Sequence, residues 1–101
     1  MKNIALEPER QVLAALLKEL RETHGITQEQ LAESLLWRQT DVSKVERGAR
    51  QMAYVELRHW VSALGVDMYE LEMQFQERLR GLGISEPIPP GGRRSRRQKL
   101  R

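Results

Sequence analysis

The sequence predicts an all-α domain of five helices. Apolar residues recur at three- and four-residue spacings in several segments, which is the pattern of a helix that buries one face. Glycines follow three of these segments, and glycine is the preferred residue just beyond the end of a helix. No segment shows the alternating polar and apolar pattern of a half-buried strand. We therefore expect a helical protein without a β-sheet.

The first two helices have clear boundaries. Pro8 suits a first helical turn, where its missing N–H costs nothing, and Gly25 is placed to end the first helix. Thr27 and Gln30 form a capping box at the start of helix two, which we expect to run to about Leu35. The buried face of helix one is predicted to consist of Val12, Leu13, Leu16, Leu17 and Leu20.

The remaining helices follow the same logic. Helix three is predicted from about Gln39 to Arg47 and ends at Gly48, and a loop covers residues 49–53. Helix four spans about Tyr54 to Leu64, and helix five begins after Asp67, which can cap it. The apolar stripe of helix five is predicted to contain Met68, Leu71, Phe75, Leu79 and Leu82.

Charge is distributed unevenly along the chain of 101 residues. From Gly91 onward the sequence holds six of the 17 Lys and Arg residues and no acid, which leaves residues 1–90 with 11 bases, 14 acids and a net charge of −3. We expect an N-terminal arm over residues 1–8, a folded domain over residues 9–80 and a flexible basic tail over residues 81–101.

The composition excludes several classes of function. The chain has no cysteine, and its two histidines lack companions at ligand spacing, so we expect no metal and no cofactor. No Gly-rich phosphate loop or nucleophile motif is present, and we expect no enzymatic activity. No apolar run approaches the roughly 20 residues of a membrane span. The sequence is typical of a soluble cytoplasmic protein without a membrane partner.

Residues 26–48, ITQEQLAESLLWRQTDVSKVERG, predict a helix-turn-helix motif. Two short helices are separated by a tight break near Leu36 and Trp37, and the second helix has a polar outward face. DNA-binding proteins use this layout to place a second helix in a major groove. The segment from Arg38 to Arg50 contains four bases and two acids, and it is the one locally basic stretch of the predicted domain.

Residues 17–71 resemble the Cro/CI repressor type of helix-turn-helix, the XRE-like family of bacterial and phage regulators. The resemblance is carried by LKELRETHGITQEQLAESL, DVSKVERG and LRHWVSALGVDMYEL, at matching spacing. It implies a compact five-helix Cro/CI repressor-like domain that binds DNA, generally as a dimer. It also implies that Gln28 holds the DNA backbone, and that Arg21 and Glu46 form a partly buried ion pair between helix one and the end of helix three.

The exposed polar groups of helix three are the candidates for base contact. With Val42 and Val45 buried, an amide at Gln39 can pair with adenine and an ammonium at Lys44 can reach guanine. The four residues expected nearest the bases are Gln39, Thr40, Ser43 and Lys44. Phosphate contacts are expected at helix N-termini and from basic residues at the rim. These candidates are Thr27, Gln28, Arg38, Arg47 and Arg50, the last of which is otherwise a solvated loop charge.

The turn between helices two and three departs from the family pattern. Leu36 occupies a position that is usually Gly, and Arg38 one that is usually Ser, Thr or Pro. Either Leu36 tolerates strain or the turn is reshaped, and Thr40 could cap a later start of helix three. Trp37 either packs over the junction, which we favour, or donates its N–H to a phosphate. Asp41 either accepts from cytosine or, as we favour, complements the helix dipole.

The expected function is that of a sequence-specific transcriptional regulator, acting as a dimeric repressor on a roughly palindromic operator in double-stranded DNA. The candidate surface for a homodimer is on helix five, unless this stripe packs entirely into the chain's own core. Its residues are Leu71, Met73, Phe75 and Leu79.

Two other interpretations remain open at this point. The chain could be an antitoxin that represses its own operon and binds a toxin through its flexible end. It could also be a protein-interaction adaptor that has lost DNA recognition, which the acid excess of residues 1–90 favours. The basic tail either adds phosphate contacts or acts as a solubilising end.

Overall fold

A computed structural model describes residues 6–84, which form five helices and no strand. The predicted all-α, five-helix fold is confirmed. The helices are α1 (Glu7–Thr23), α2 (Gln28–Leu35), α3 (Gln39–Glu46), α4 (Tyr54–Ala63) and α5 (Met68–Gly81). Helix α1 includes the last two residues of the predicted arm, and α5 reaches the first residue of the predicted tail. Residues 1–5 of the arm and the tail from residue 85 lie outside the described residues.

One apolar core joins all five helices. Helix α1 packs against α3 and α5, α2 packs against α3 and α4, and α4 also packs against α5. The largest fully buried side chain is Trp60 of α4. The other fully buried side chains are Leu16, Leu17, Leu31, Val42 and Val61. Because Val42 belongs to α3, this helix is anchored along one side and its opposite side is free to face outward.

Three of the connecting turns share one backbone geometry. In each, a residue with positive φ is followed by an apolar residue whose N–H bonds to the carbonyl five residues earlier, and then by the N-cap of the next helix. The three turns are Gly25-Ile26-Thr27, Leu36-Trp37-Arg38 and Gly65-Val66-Asp67. Their N···O distances are 3.1, 2.9 and 2.9 Å, respectively. The break in the helix-turn-helix is therefore the same kind of turn as its neighbours.

Leu36 is the one residue other than glycine with a positive φ among residues 6–84, at φ 60° and ψ 38°. A side chain in this left-handed conformation costs about 1–2 kcal/mol. The side chain is 93% exposed, so packing does not offset that cost. Of the two alternatives, Leu36 tolerates the strain and the turn keeps its usual shape. Helix α3 begins at Gln39 with Arg38 as its N-cap, so Thr40 does not cap a later start.

Helix α5 directs most of its apolar stripe inward. Leu71 and Leu79 are only 3% and 2% exposed, because they pack inside the chain's own fold. The prediction that they form a dimer surface is therefore wrong for these two residues, and the alternative of core packing applies. Phe75 is partly buried against the core, whereas Met73 is exposed. Tyr69, one turn before Met73, is also exposed, and these two side chains form the outer apolar face of α5.

Candidate nucleic-acid interface

The start of α2 is built by its capping box. The hydroxyl of Thr27 accepts from the backbone N–H of Gln30 at 3.0 Å, and the Gln30 side chain accepts from the N–H of Thr27 at 2.9 Å. The box satisfies these two N–H groups and leaves those of Gln28 and Glu29 in the first turn of the helix. Such groups, together with the helix dipole, suit an anion.

A buried ion pair ties this region to α1 and α3. Arg21 donates from Nε to Glu46 Oε2 at 2.6 Å and from Nη2 to Glu46 Oε1 at 3.1 Å. The pair predicted from the resemblance is therefore present. The hydrogen bond with Glu46 raises the pKa of Arg21 above its ordinary value, although burial opposes this. The third nitrogen, Nη1, donates to the carbonyl of Ile26 at 2.7 Å, so Arg21 also braces the turn before α2.

Glu46 extends this contact into a chain of side-chain amides. Gln28 donates from Nε2 to Glu46 Oε1 at 2.9 Å, and Gln39 donates from Nε2 to Gln28 Oε1 at 2.8 Å. Because a carboxylate only accepts, the amide nitrogen of Gln28 must face Glu46 and its oxygen must face Gln39. The ion pair thus fixes the orientation of both amides. The sequence singled out Glu46, Gln28 and Gln39, but it gave no indication that Gln28 bonds to the other two.

The N-termini of α2 and α3 border an open depression of about 450 Å³. It brings together three residues that the sequence analysis assigned to DNA contact, namely Thr27, Gln28 and Gln39. The exposed carboxylate of Glu29 lies on the same rim. The depression therefore combines amide and hydroxyl groups with N–H donors at a helix start.

The outward face of α3 is polar. Gln39, Thr40 and Lys44 are exposed, and Ser43 is half-buried. The hydroxyl of Ser43 accepts from Arg47 Nε at 3.2 Å, which holds the Arg47 side chain along the helix. The four predicted base-contacting residues thus lie on one short helix of eight residues, on the side opposite its buried valines.

Asp41 sits in the first turn of α3, where its carboxylate accepts from the backbone N–H and the Nε of Arg38, both at 3.4 Å. Burial opposes ionisation of this group. The hydrogen bonds from Arg38 and the positive charges of Arg38 and Arg50 outweigh burial and hold the pKa of Asp41 below its ordinary value near 3.8. This placement agrees with the helix-dipole interpretation of Asp41.

Arg38 and Arg50 differ in their surroundings. The side chain of Arg38 is 82% exposed, whereas that of Arg50 is 33% exposed. The guanidinium of Arg50 lies over the ring of Trp37, 4.1 Å from its centroid, and Nη2 pairs with Glu56 Oε2 at 3.2 Å. The Trp37 ring packs edge-on against Trp60, with centroids 6.0 Å apart. The favoured interpretation of Trp37 as a packing residue agrees with this arrangement, but sequence spacing gave no indication of its contact with Arg50.

Neither a metal site nor a membrane-spanning helix is found among the described residues. Residues 6–84 contain no group of three or more His, Cys, Asp or Glu side chains arranged to hold a metal ion. Within the same residues, none of the helices has both the length and the apolar character needed to cross a membrane.

Five helices with an outward polar third helix define a helix-turn-helix protein. Residues 12–72 match the family model described as "Helix-turn-helix domain", and the chain belongs to this family. The predicted Cro/CI-type, XRE-like resemblance is thereby confirmed. A comparison with curated protein sequences finds no match.

Solved structures share the fold. The clp gene regulator ClgR from Corynebacterium glutamicum is 26% identical over 68% of this chain and 88% of its own, with a TM-score of 0.63. The restriction-modification controller protein C.AhdI from Aeromonas hydrophila is 33% identical over 59% of this chain and 91% of its own, with a TM-score of 0.56. The controller protein C.Esp1396I, solved as a tetramer with its natural 35 base-pair operator, is 22% identical over 71% of this chain and 95% of its own, with a TM-score of 0.67.

Proposed function

We propose that this protein is a sequence-specific DNA-binding transcriptional regulator that inserts α3 into a major groove. The observation that carries the proposal is the chain of hydrogen bonds from Arg21 through Glu46 and Gln28 to Gln39. It holds the first residue of α3 and the first residue of α2 in one fixed arrangement beside an open depression. Family membership and the regulators of similar fold support the same function.

Base contacts are assigned to the outward face of α3. Gln39 Nε2 uses one hydrogen on Gln28, so its carbonyl oxygen and second hydrogen can form the bidentate pair that glutamine makes with adenine. Lys44 is exposed and suits the acceptor edge of guanine. Thr40 offers a methyl or a hydroxyl, and Ser43 a hydroxyl, to neighbouring bases.

Phosphate contacts are assigned to the start of α2 and to the cations beside α3. Gln28 Nε2 keeps one hydrogen besides the one it gives to Glu46, and the hydroxyl of Thr27 can donate while it accepts from Gln30. Arg38 and Arg47 are exposed at the two ends of α3. These contacts position the helix, and base contacts then provide specificity.

The regulator acts as a homodimer and represses transcription in this proposal. Two copies of α3 would reach half-sites about 34 Å apart in successive major grooves. The surface we assign to dimerisation is now limited to the outer face of α5, at Tyr69 and Met73 with the edge of Phe75. C.Esp1396I assembles as a tetramer with its operator, which supports an oligomeric mode of binding for this fold. We assign the protein to the cytoplasm and give it no catalytic role.

Selection of bound sequences from a random pool of double-stranded DNA tests this proposal. The wild-type protein is expected to enrich a roughly palindromic site, and Gln39→Ala to relax the preference at one position of each half-site. Gln74→Ala on α5 is the matched control and should enrich the wild-type site. Gln74 lies away from the proposed DNA-contacting residues of α2 and α3, and its side chain bonds to Glu70.

Failure to enrich any sequence would contradict the proposed function. If wild-type protein bound proteins but no specific DNA, the adaptor interpretation would replace it, and the net charge of −3 over residues 1–90 would then be its physical basis. Binding of a toxin encoded by an adjacent reading frame, together with operator binding, would identify the antitoxin variant.

A further inference from the structure

The structure points to a positioning role for Arg50, which goes beyond the DNA contacts assigned above and rests on the proposed function. We propose that Arg50 fixes the entry of α3 by stacking on Trp37 and does not bind a DNA phosphate. The Trp37–Arg50 stack consists of the Arg50 guanidinium on the Trp37 ring and the Trp60 ring against the same indole. Its effect on DNA recognition is exerted through the turn.

The turn before α3 lacks the glycine and the capping side chain that its counterpart before α2 possesses, and it retains only the bond from the N–H of Arg38 to the Asp41 carboxylate. Leu36 replaces the glycine that favours a positive φ, and its exposed side chain adds no packing. The N-cap residue, Arg38, makes no side-chain cap hydrogen bond to the start of α3. The residue between them, Trp37, is the one member of the turn that packs on the core. The position of this ring therefore decides where α3 begins.

The stack joins three segments around that ring. Arg50 Nη2 contacts Glu56 Oε2 at 3.2 Å, and Glu56 Oε1 accepts from the N–H of Ala53 at 3.0 Å, at the start of α4. The N–H of Arg50 donates to the carbonyl of Lys44 at 3.2 Å, near the end of α3. The guanidinium thereby connects the turn before α3 with the start of α4, while the backbone N–H of Arg50 joins the loop to the end of α3. Substituting the Arg50 side chain releases the contacts with Trp37 and Glu56 and leaves the backbone bond in place.

The burial of Arg50 argues against a direct phosphate contact. Its Nη1 atom is buried and has no hydrogen-bond partner among the described residues, so the guanidinium is turned inward. The same group is paired with Glu56 and lies 4.1 Å from the Trp37 centroid, within the range of a cation–π contact. Arg38 and Arg47, by contrast, are exposed. A phosphate contact by Arg50 would require it to leave both partners.

Salt-dependent DNA binding separates positioning from phosphate contact. Each phosphate contact contributes about −0.9 to the slope of log K against log salt on duplex DNA. We expect Arg50→Gln to leave this slope unchanged and to lower the ratio of specific to nonspecific affinity about tenfold. The matched variant Arg47→Gln should reduce the magnitude of the slope by about 0.9 and keep the ratio.

Conservative variants sharpen the test. Arg50→Lys keeps the charge but lacks the planar guanidinium, so it should not restore the specificity ratio. Trp37→Phe keeps a ring for Arg50 and should retain most of the ratio, whereas Trp37→Leu should lose it. The proposal is overturned if Arg50→Gln reduces the magnitude of the slope by about 0.9 with the ratio intact and Arg50→Lys restores binding.

Amide hydrogen exchange gives a readout that does not depend on DNA. The N–H of Trp37 donates to the carbonyl of Ala32 at 2.9 Å, and this bond closes the turn. We expect its exchange to accelerate in Arg50→Gln and to stay unchanged in Arg47→Gln. Equal exchange in both variants would overturn the proposal. If wild-type protein shows no sequence preference, the proposed function fails, and the exchange comparison still decides whether Arg50 positions Trp37.

Discussion

Helix α2 is bounded by two turns that share a backbone geometry but not a chemistry. The first turn, Gly25-Ile26-Thr27, has a glycine at φ 70° and a capping threonine. Arg21 also donates a hydrogen bond to the carbonyl of Ile26 in this turn. The second turn, Leu36-Trp37-Arg38, has leucine at φ 60° and an N-cap without a side-chain hydrogen bond. The same turn geometry is thus reached once through local sequence preference and once through tertiary packing of Trp37.

The difference has a consequence for where function can be altered. The first turn is specified by its own residues and delivers α2 to the site. The second turn delivers α3, and its geometry depends on Trp60, Arg50 and other residues distant in sequence. We therefore expect changes around Trp37 to affect DNA specificity, and changes around Arg21 to affect stability first.

The largest predicted effect on stability comes from substitution of Arg21, whose hydrogen bonds hold the first turn. Arg21→Met is expected to lower the free energy of unfolding by about 3–5 kcal/mol, because it leaves the buried carboxylate of Glu46 without its charged partner. The side chain of Glu46 is only 2% exposed, so water cannot replace the lost contact. Chemical denaturation measures this effect. Arg10→Met removes an exposed pair with Glu7 and should change stability by less than about 1 kcal/mol. Equal effects of the two substitutions would disprove the assigned role of Arg21.

Substitution of the residue with positive φ should destabilise the protein at the first turn and stabilise it at the second. Gly25→Ala is expected to cost about 1–2 kcal/mol, because the added Cβ meets no atom within 4 Å and only the backbone is penalised. Leu36→Gly is expected to stabilise by about 0.5–1 kcal/mol, since relief of strain exceeds the entropy cost of glycine.

Leu36→Ala is the control for this exchange, because alanine keeps the Cβ and should bring no comparable gain. Thermal and chemical denaturation of the three variants provides the measurement. A destabilised Leu36→Gly variant would show that the exposed leucine contributes a contact that offsets its strain.

The N-cap residues of the two turns should also differ in how much their side chains stabilise the protein, by a smaller amount. Thr27→Ala is expected to cost about 1 kcal/mol, because its hydroxyl accepts the N–H of Gln30. Arg38→Ala should stay within about 0.5 kcal/mol of wild type, because the exposed arginine makes no cap with its side chain. Denaturation curves compare the two variants directly. Equal losses would imply that the Arg38 side chain holds the second turn after all.

The smallest predicted effect concerns Asp41, which supports the start of α3 in place of a cap from Arg38. Its pKa is lowered in the folded protein, so its contribution is present above the unfolded value near 3.8 and is lost as pH falls through the folded value. Between pH 5 and 3, wild type should lose more stability than Asp41→Asn. Parallel pH profiles for the two proteins would show that the carboxylate does not support the turn.

The sequence was sufficient where structure depends on local pattern. Capping by Thr27 and Asp67 and the burial of Leu16, Leu17 and Leu20 follow from residue type and spacing, although the predicted Val12 and Leu13 are only half-buried. The Arg21–Glu46 pair followed from the family resemblance. The sequence left open whether Leu36 tolerates strain or the turn is reshaped, and it could not decide because the conformation depends on the packing of Trp37. It also left open whether Leu71 faces the core or a second copy, since an apolar stripe has the same pattern in both cases.

DNA binding by the full chain and by residues 1–90, compared over a series of salt concentrations, tests the central claim most directly. We predict that both proteins prefer one selected sequence over a scrambled duplex, because specificity resides in α3 and not in the basic tail. Removal of the tail should weaken binding to both duplexes similarly and reduce the salt slope. Binding that is equal for both duplexes and disappears when residues 91–101 are removed would contradict the assignment of α3 as a DNA-recognition helix.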